Sequence, residues 1–403
     1  MTRPSDSTSS PGVVDAERPL TGFRIGITAA RRADELATLL TRRGAEVLHA
    51  PAIRLVPLAD DVELEARTRE IVAEPPDLTV ATTGIGFRGW VEAAEGWGIA
   101  DELLAALGSG RVIARGPKAT GALRAAGLRE EWSPDSESSA EVLSHLLADG
   151  VAGLRIAVQL HGATTEWEPL PDFCDGLRAA GATVVPVPVY RWVPPDDPAP
   201  MDRLIEAAVC GELDAVTFTS APAVASMMMR AADTDLVAPL QHAFRTRVVP
   251  VCVGPVTAGP FDAMGIATTA PARARVGALV RHVADELPAR VPTAICAGHA
   301  VRLLATTVLV DGAPRTVPRA ALAVLDALAR RPGAVVSRED LLAALPGGGD
   351  DTHAVETAVA RLRSALGVSG IVATVVKRGY RLNVDHPVGV GLDRAADHEE
   401  RVP

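Results

Sequence analysis

A chain of 403 residues, 48% of them hydrophobic, is too long for one ordinary domain and can bury more than one core. A formal charge of −10 excludes a protein that coats nucleic acid with its whole surface. Four scattered cysteines with no CxxC read as buried thiols of a reducing compartment, and no apolar run approaches the roughly 20 residues that span a bilayer. The expected location is the cytoplasm, with no membrane partner and no metal site.

The chain opens with "MTRPSDSTSSPG", which is polar and has no apolar core, so no signal peptide is expected. Residues 1–19 and 385–403 read as disordered tails. From residue 20 the text becomes regular. "GFRIGITAA" at 22–30 and "RRGAEVLHAP" at 42–51 are short strands with a helical pattern between them, followed by the extended, Pro-punctuated "PAIRLVPL" at 51–58. "DLTVATTGIGF" at 77–87 is a strand that opens a helix. "VIARGPKATGALRAAGL" at 112–128 is a strand, a Gly116-Pro117 turn and a helix ending at Gly127. The same phrases then return in order. "GLRIAVQLH" at 153–161 and "AAGATVVPVP" at 179–188 match the first two, "DAVTFTSAPAV" at 214–224 matches the third at an offset of 137, and Gly254-Pro255 matches the Gly-Pro turn at an offset of 138.

Each phrase joins a β-branched run to a helical pattern, which argues for parallel sheets covered by helices. The fold class expected is therefore α/β, with two similar parallel-sheet lobes joined by a two-strand linker. The interleaved order assigns 20–50 and 198–290 to lobe 1, 62–183 to lobe 2, and 51–61 with 184–197 to the linker. Such a pair should form a cleft faced by the C-terminal edges of both sheets, where α/β proteins bind ligands. The Gly-Pro turns are not a P-loop, because GxxxxGK[ST] is absent. Two readings stay open for them: ends of strands, or turns that aim helix N-termini at an anion. The candidate ligand residues at these edges are Thr28, Thr83, Gly84, Gly116, Lys118, Thr120, His161, Gly162, Ser220, Gly254 and Thr257.

Residues 301–384 have another rhythm and another charge. Eleven Lys and Arg against seven Asp and Glu give +4, leaving −14 for the remainder of the chain. "VRLLATTVLVDGAPRTVP" reads as short antiparallel strands around Asp311-Gly312. Two helices follow, the second opened by Ser337 as N-cap, then a third over "DDTHAVETAVARLRSALG" and a basic hairpin over "IVATVVKRGYRLNV". This is the pattern of a winged helix-turn-helix (α+β), whose third helix enters the major groove and whose wing meets phosphate or the minor groove. The DNA-binding candidates are Arg338, Thr357, Arg361, Arg363, Lys377, Arg378 and Tyr380, and the expected partner is double-stranded DNA at promoter sites.

Two resemblances emerge from these residues. The "VGPVTA" turn, the "FTS" strand end, the "GAEV" helix exit and "VPVYRWVPP", together with the duplicated order, make residues 20–290 resemble uroporphyrinogen-III synthase. "RRPGAVVSREDLL", "VARLRSALG" and "VVKRGYRL" make residues 301–384 resemble the C-terminal domain of OmpR-type response regulators. The first resemblance implies cofactor-free cyclisation of hydroxymethylbilane, with Tyr190 as a phenol that hydrogen-bonds or protonates the departing hydroxyl. It also shows departures: Ala29 stands where that family has Arg, Ala119-Thr120 reverses its Thr-Ala, His161-Gly162 replaces Arg-Gly, and "TTGIGF" replaces Ser-x-Asn. In the second, Ala358, Ser364 and Ala365 stand where His, Arg and Lys are frequent. Two functions stay open: a transcription regulator whose two-lobe domain senses a small anionic or tetrapyrrole-related ligand, or an active synthase with an appended DNA-binding domain. The resemblance implies a link to nitrate and nitrite assimilation, because the synthase product feeds the cofactor of nitrite reductases. A homo-oligomer or co-regulator is a further expected partner.

Overall fold

A computed structural model describes residues 17–58, 62–134, 138–160, 173–347 and 352–385. The chain divides into two compact units, one of residues 53–196 with 224–226, the other of residues 1–52, 197–223 and 227–403.

In chain order, the first parallel step is β1 (Arg24–Ile27), α1 (Ala33–Arg42) and β2 (Glu46–His49). The chain then leaves through β3 (Arg54–Pro57) into α2 (Val62–Ala73), β4 (Leu78–Ala81), α3 (Gly84–Gly96), α4 (Ala100–Gly108), β5 (Arg111–Ala114), α5 (Pro117–Ala125), α6 (Ser139–Asp149), β6 (Arg155–Gln159), α7 (Phe173–Ala179) and β7 (Thr183–Val187). It returns through β8 (Tyr190–Val193) to α8 (Ala199–Val209), β9 (Ala215–Phe218), α9 (Ala221–Asp233), α10 (Val237–Thr246), β10 (Val249–Cys252), α11 (Pro255–Ala263) and α12 (Val276–Arg290).

The strands form two parallel sheets of the same topology, β5-β4-β6-β7 in lobe 2 and β10-β9-β1-β2 in lobe 1. In lobe 1 the strand that left first pairs with one that arrives 190 residues later, Ile25 beside Ala215. That long-range pairing is what the interleaved repeat requires. β3 and β8 pair antiparallel, Leu55 opposite Trp192, as the linker ladder. One boundary shifts. Residues 184–187, expected in the linker, lie in β7 beside β6, with Val184 opposite Ile156. Pro186 is compatible with that place because β7 is an edge strand, where a missing N–H costs no ladder bond. Both faces of each sheet are covered. Trp90 and Phe87 centre one side of lobe 2, with the Trp90 Nε1–H donating to Thr68 Oγ1 at 2.9 Å, while Phe23, Ile25 and Ile27 centre lobe 1.

The C-terminal module starts earlier than residue 301. Its antiparallel sheet is β11 (Ala294–Cys296), β12 (His299–Leu303), β13 (Thr307–Val310) and β14 (Ala313–Thr316). Asp311 and Gly312, at φ 51° and 79°, make the two-residue turn that Asp-Gly favours. Three helices follow, α13 (Arg319–Ala329), α14 (Arg338–Ala344) and α15 (Thr352–Leu366), then the hairpin β15 (Val372–Val375) and β16 (Gly379–Leu382). Ser337 caps α14 as expected, its hydroxyl accepting the Asp340 N–H at 3.0 Å.

Candidate functional site: two sheet edges and a basic helix face

At the C-terminal edge of the lobe 2 sheet, β4 runs into Thr82 and Thr83, β5 into Gly116 and β6 ends at Gln159. Thr83 is the N-cap of α3, accepting the Gly86 N–H at 3.1 Å. Its own N–H donates to Gln159 Oε1 at 3.1 Å, and the Tyr190 hydroxyl lies 3.4 Å from its Oγ1. Gln159 is fully buried, and its backbone carbonyl accepts the Thr82 hydroxyl at 2.6 Å. Gln159 therefore fixes two neighbouring threonines, Thr83 through its side-chain amide and Thr82 through its backbone carbonyl, and Thr83 in turn meets the phenol of β8. Sequence reasoning missed Gln159. The available signal was a polar residue closing the apolar strand "RIAVQ".

The glycines of "TTGIGF" have packing duties. A Cβ on Gly84 would sit 2.1 Å from the Lys118 carbonyl oxygen, and one on Gly86 would sit 2.1 Å from Gln159 Nε2. Gly84 is thus the point where α3 closes on α5. Lys118 is exposed, Thr120 half-buried, and Gly116 is buried in extended backbone just before the helix-opening Pro117. Tyr190 is only 4% exposed and stands edge-on to Trp192, so its ring is part of the lobe 2 core and only its hydroxyl belongs to the edge. His161 and Gly162 lie outside the described residues.

The lobe 1 edge is arranged differently. Thr28 is fully buried, and its hydroxyl donates to the Thr217 carbonyl at 2.9 Å. The side chain lies between β1 and β9, and its hydroxyl proton is engaged by backbone. Ser220 is the half-buried N-cap of α9 and makes no side-chain cap bond. Gly254 precedes Pro255 with the same extended backbone as Gly116, and Thr257 is buried in the first turn of α11. Burial pushes the Cys252 thiol, two residues before Gly254, up to about 12. Among the described residues no group of His, Cys, Asp and Glu could hold a metal ion, and no helix is long and apolar enough to cross a membrane.

In the C-terminal module, α15 buries Val355, Ala358, Val359, Leu362 and Leu366. The opposite stripe holds Thr357, Ala360, Arg361 and Ser364, spaced as i, i+3, i+4 and i+7. Arg361 is exposed and has no ion-pair partner among the described residues, and the same is true of Lys377 and Arg378 at the hairpin tip. Lys377 sits at φ 60° in the turn, beside Val376, which is 78% exposed. Three other candidates are engaged elsewhere. Arg363 donates from Nε and Nη2 to the Val372 carbonyl at 3.1 and 2.9 Å, and from Nη2 to Thr374 Oγ1 at 2.8 Å, tying α15 to the wing. The Tyr380 ring is 5% exposed in the core, under the guanidiniums of Arg338 and Arg363 at 5.5 and 5.8 Å. Arg338 also lies 3.7 Å from Glu356. Ala358 is 3% exposed, so an alanine there reflects packing and removes no groove contact.

Two parallel α/β lobes built from an interleaved duplication, followed by three helices and a basic hairpin, define a class: a two-lobed α/β domain carrying a winged-helix DNA-binding domain. The family model of uroporphyrinogen-III synthase HemD matches residues 34–281, and that of the C-terminal domain of transcriptional regulatory proteins matches residues 312–382. The chain belongs to the uroporphyrinogen-III synthase family and ends in an OmpR-type DNA-binding domain. It is 30% identical over 266 residues to the uncharacterized protein YjjA of Bacillus subtilis, covering 66% of this chain and 96% of that one. It is 28% identical over 171 residues to a putative uroporphyrinogen-III synthase of Methanothermobacter thermautotrophicus, covering 42% of this chain and 64% of that one. The crystal structure of a mutant uroporphyrinogen III synthase from Thermus thermophilus is similar at 30% identity and a TM-score of 0.54, over 64% of this chain and 96% of that one.

Proposed function

We propose that this protein is a transcription regulator that binds promoter DNA through Thr357, Arg361, Lys377 and Arg378, and that its synthase-like lobes sense a small anionic or tetrapyrrole-related ligand. One observation carries the reading. Arg361, Lys377 and Arg378 stand exposed and without an ion-pair partner among the described residues, on the solvent face of α15 and at the hairpin tip, while the Thr28 hydroxyl at the lobe 1 edge donates to backbone. Each edge is assigned its own candidate contacts: Thr83, Lys118, Thr120 and the Tyr190 hydroxyl at the lobe 2 edge, and Ser220, Gly254 and Thr257 at the lobe 1 edge. Helix N-termini behind Gly116 and Gly254 suit carboxylates without needing many lysines. Target genes for nitrate and nitrite assimilation follow from pathway logic, since the synthase product leads to the cofactor of nitrite reductase.

A second reading, an active synthase with an appended DNA-binding domain, draws support from the family match over residues 34–281. The two are separated by running promoter-shift assays beside cyclisation assays with hydroxymethylbilane. Promoter binding without turnover supports the regulator. Turnover with no shift at low salt overturns it.

A further inference from the structure

Asp77 and Asp214 open the two copies of one phrase, "DLTVATTGIGF" and "DAVTFTSAPAV". In lobe 2 the Arg155 N–H donates to Asp77 Oδ2 at 2.8 Å, and Asp77 is exposed. In lobe 1 the Arg24 N–H donates to Asp214 Oδ2 at 2.9 Å in the same manner, yet Asp214 is only 5% exposed. Its Oδ1 accepts the Ala305 N–H at 2.9 Å, from the turn between β12 and β13 of the C-terminal module. The fold thus uses one carboxylate to close the N-terminal edge of each sheet. In lobe 1 alone, the second oxygen of that carboxylate holds the DNA-binding module.

The rest of the seam is equally closed. Leu304 and Leu309 of the module are 1% and 3% exposed within the lobe 1 core. They approach a Cβ placed on Gly22 to 3.0 and 3.1 Å, and the backbone there, at φ +85°, is one that glycine adopts without strain. Arg302, 9% exposed, donates from Nη2 to the carbonyls of Pro288 and Val291 at the end of α12, where the helix dipole is negative. Only three residues separate α12 from β11. A domain that swings on a tether needs a longer and more exposed connection.

We propose that this seam is a rigid joint with Asp214 as its linking residue, and that β9 is the path from the lobe 1 ligand edge to the DNA-binding module. β9 spans four buried residues, about 13 Å of strand, held between β1 and β10. Asp214 stands at one end and the chain reaches Ser220 just past the other. The joint itself is independent of which ligand the lobes take. The path rests on the ligand-edge reading above.

The test is hydrogen exchange and thermal unfolding of the full chain, comparing the native protein with Asp214→Asn, Arg302→Met and the lobe 2 counterpart Asp77→Asn. Asn at 214 keeps one acceptor and turns an amide N–H toward the other donor. Exchange at the Ala305 amide should rise about tenfold or more, the scale of one buried charge-assisted hydrogen bond. The joint transition of lobe 1 and module should separate into two. Arg302→Met should speed exchange across β12 in the same direction, which keeps the test decisive if Asp214→Asn does not fold. Asp77→Asn should leave the module unchanged. The joint is overturned if the native Ala305 amide exchanges like free peptide, if lobe 1 and module already melt separately, or if Asp77→Asn loosens the module as much as Asp214→Asn. If the joint holds but Ser220→Pro leaves Ala305 exchange unaltered, the joint stands and β9 is not its path.

Discussion

Thr83 and Ser220 occupy the same place in the two lobes, each as the residue before the helix that leaves the sheet edge. Around Thr83 a buried glutamine, a capped helix and a phenol form one network. Around Ser220 no cap bond forms, and alanines at 221 and 223 replace Gly84 and Gly86. At the opposite edge the asymmetry reverses, with Asp77 exposed and Asp214 buried against the DNA-binding module. A duplicated fold has two equivalent edges per lobe to spend. Here lobe 2 builds polar order where ligands bind in open α/β sheets, and lobe 1 spends its opposite edge on the fused module.

The sharpest way to break this comparison is to exchange the small residues. Gly84→Ala sets a methyl against the Lys118 carbonyl, which is backbone and cannot step aside, so lobe 2 should lose about 3 kcal/mol. The mirror change Ala221→Gly in lobe 1 should cost only about 0.5–1 kcal/mol, the helix penalty of glycine. Urea unfolding of both variants measures the difference, and equal losses would mean that the two edges are packed alike.

Arginines on one helix provide the next contrast. Arg361→Ala should lower affinity by about 1–3 kcal/mol at one operator position only, as a lost base contact does. Arg363→Ala should instead loosen the wing, weakening all sequences together, because its guanidinium holds Val372 and Thr374. Lys377→Ala and Arg378→Ala should each reduce the log–log salt slope by about 0.9. Binding titrations across salt and operator variants separate the three behaviours.

A smaller effect is expected at the lobe 2 edge. Tyr190→Phe deletes only the hydroxyl near Thr83, so it should cost about 0.5–1.5 kcal/mol of ligand response or turnover while leaving the melting temperature close to native. A large loss of stability would make Tyr190 a core residue alone. The least intrusive check is thiol labelling at pH 8. Cys210 is exposed and should react, whereas Cys252 and Cys296, buried and pushed up to about 12, should stay protected until the chain unfolds.

The repeat, the interleaving and the winged helix were legible because hydrophobic period and turn glycines are local signals. The duplicated phrases even located the two edges. What was not legible depends on where a side chain turns after folding. Thr28 and Thr83 are both threonines at strand ends, yet one bonds across to Thr217 and the other caps its own helix. Arg361 and Arg363 are two residues apart on one helix and face different duties, because residues two apart point about 200° away from each other. Gln159 gave a faint signal, and the repeated Asp77 and Asp214 marked equivalent positions without showing what either one holds, since the partners are distant in sequence: Gln159 meets Thr83, and Asp214 meets Arg24 and Ala305. The seam between lobe 1 and the module depends on such distant contacts too. Leu304 and Leu309 read as strand residues of the module but belong to the lobe 1 core, so a fragment beginning at residue 300 would lose β11 and expose both.

The most direct test of the central claim is the salt-dependent affinity of the intact protein for promoter duplex, measured beside a non-specific duplex of the same length. The account predicts a linear fall of log affinity with log salt, together with a preference for the promoter of about a thousandfold or more at physiological salt. No binding to either duplex at low salt, in a protein that still cyclises hydroxymethylbilane, would contradict it.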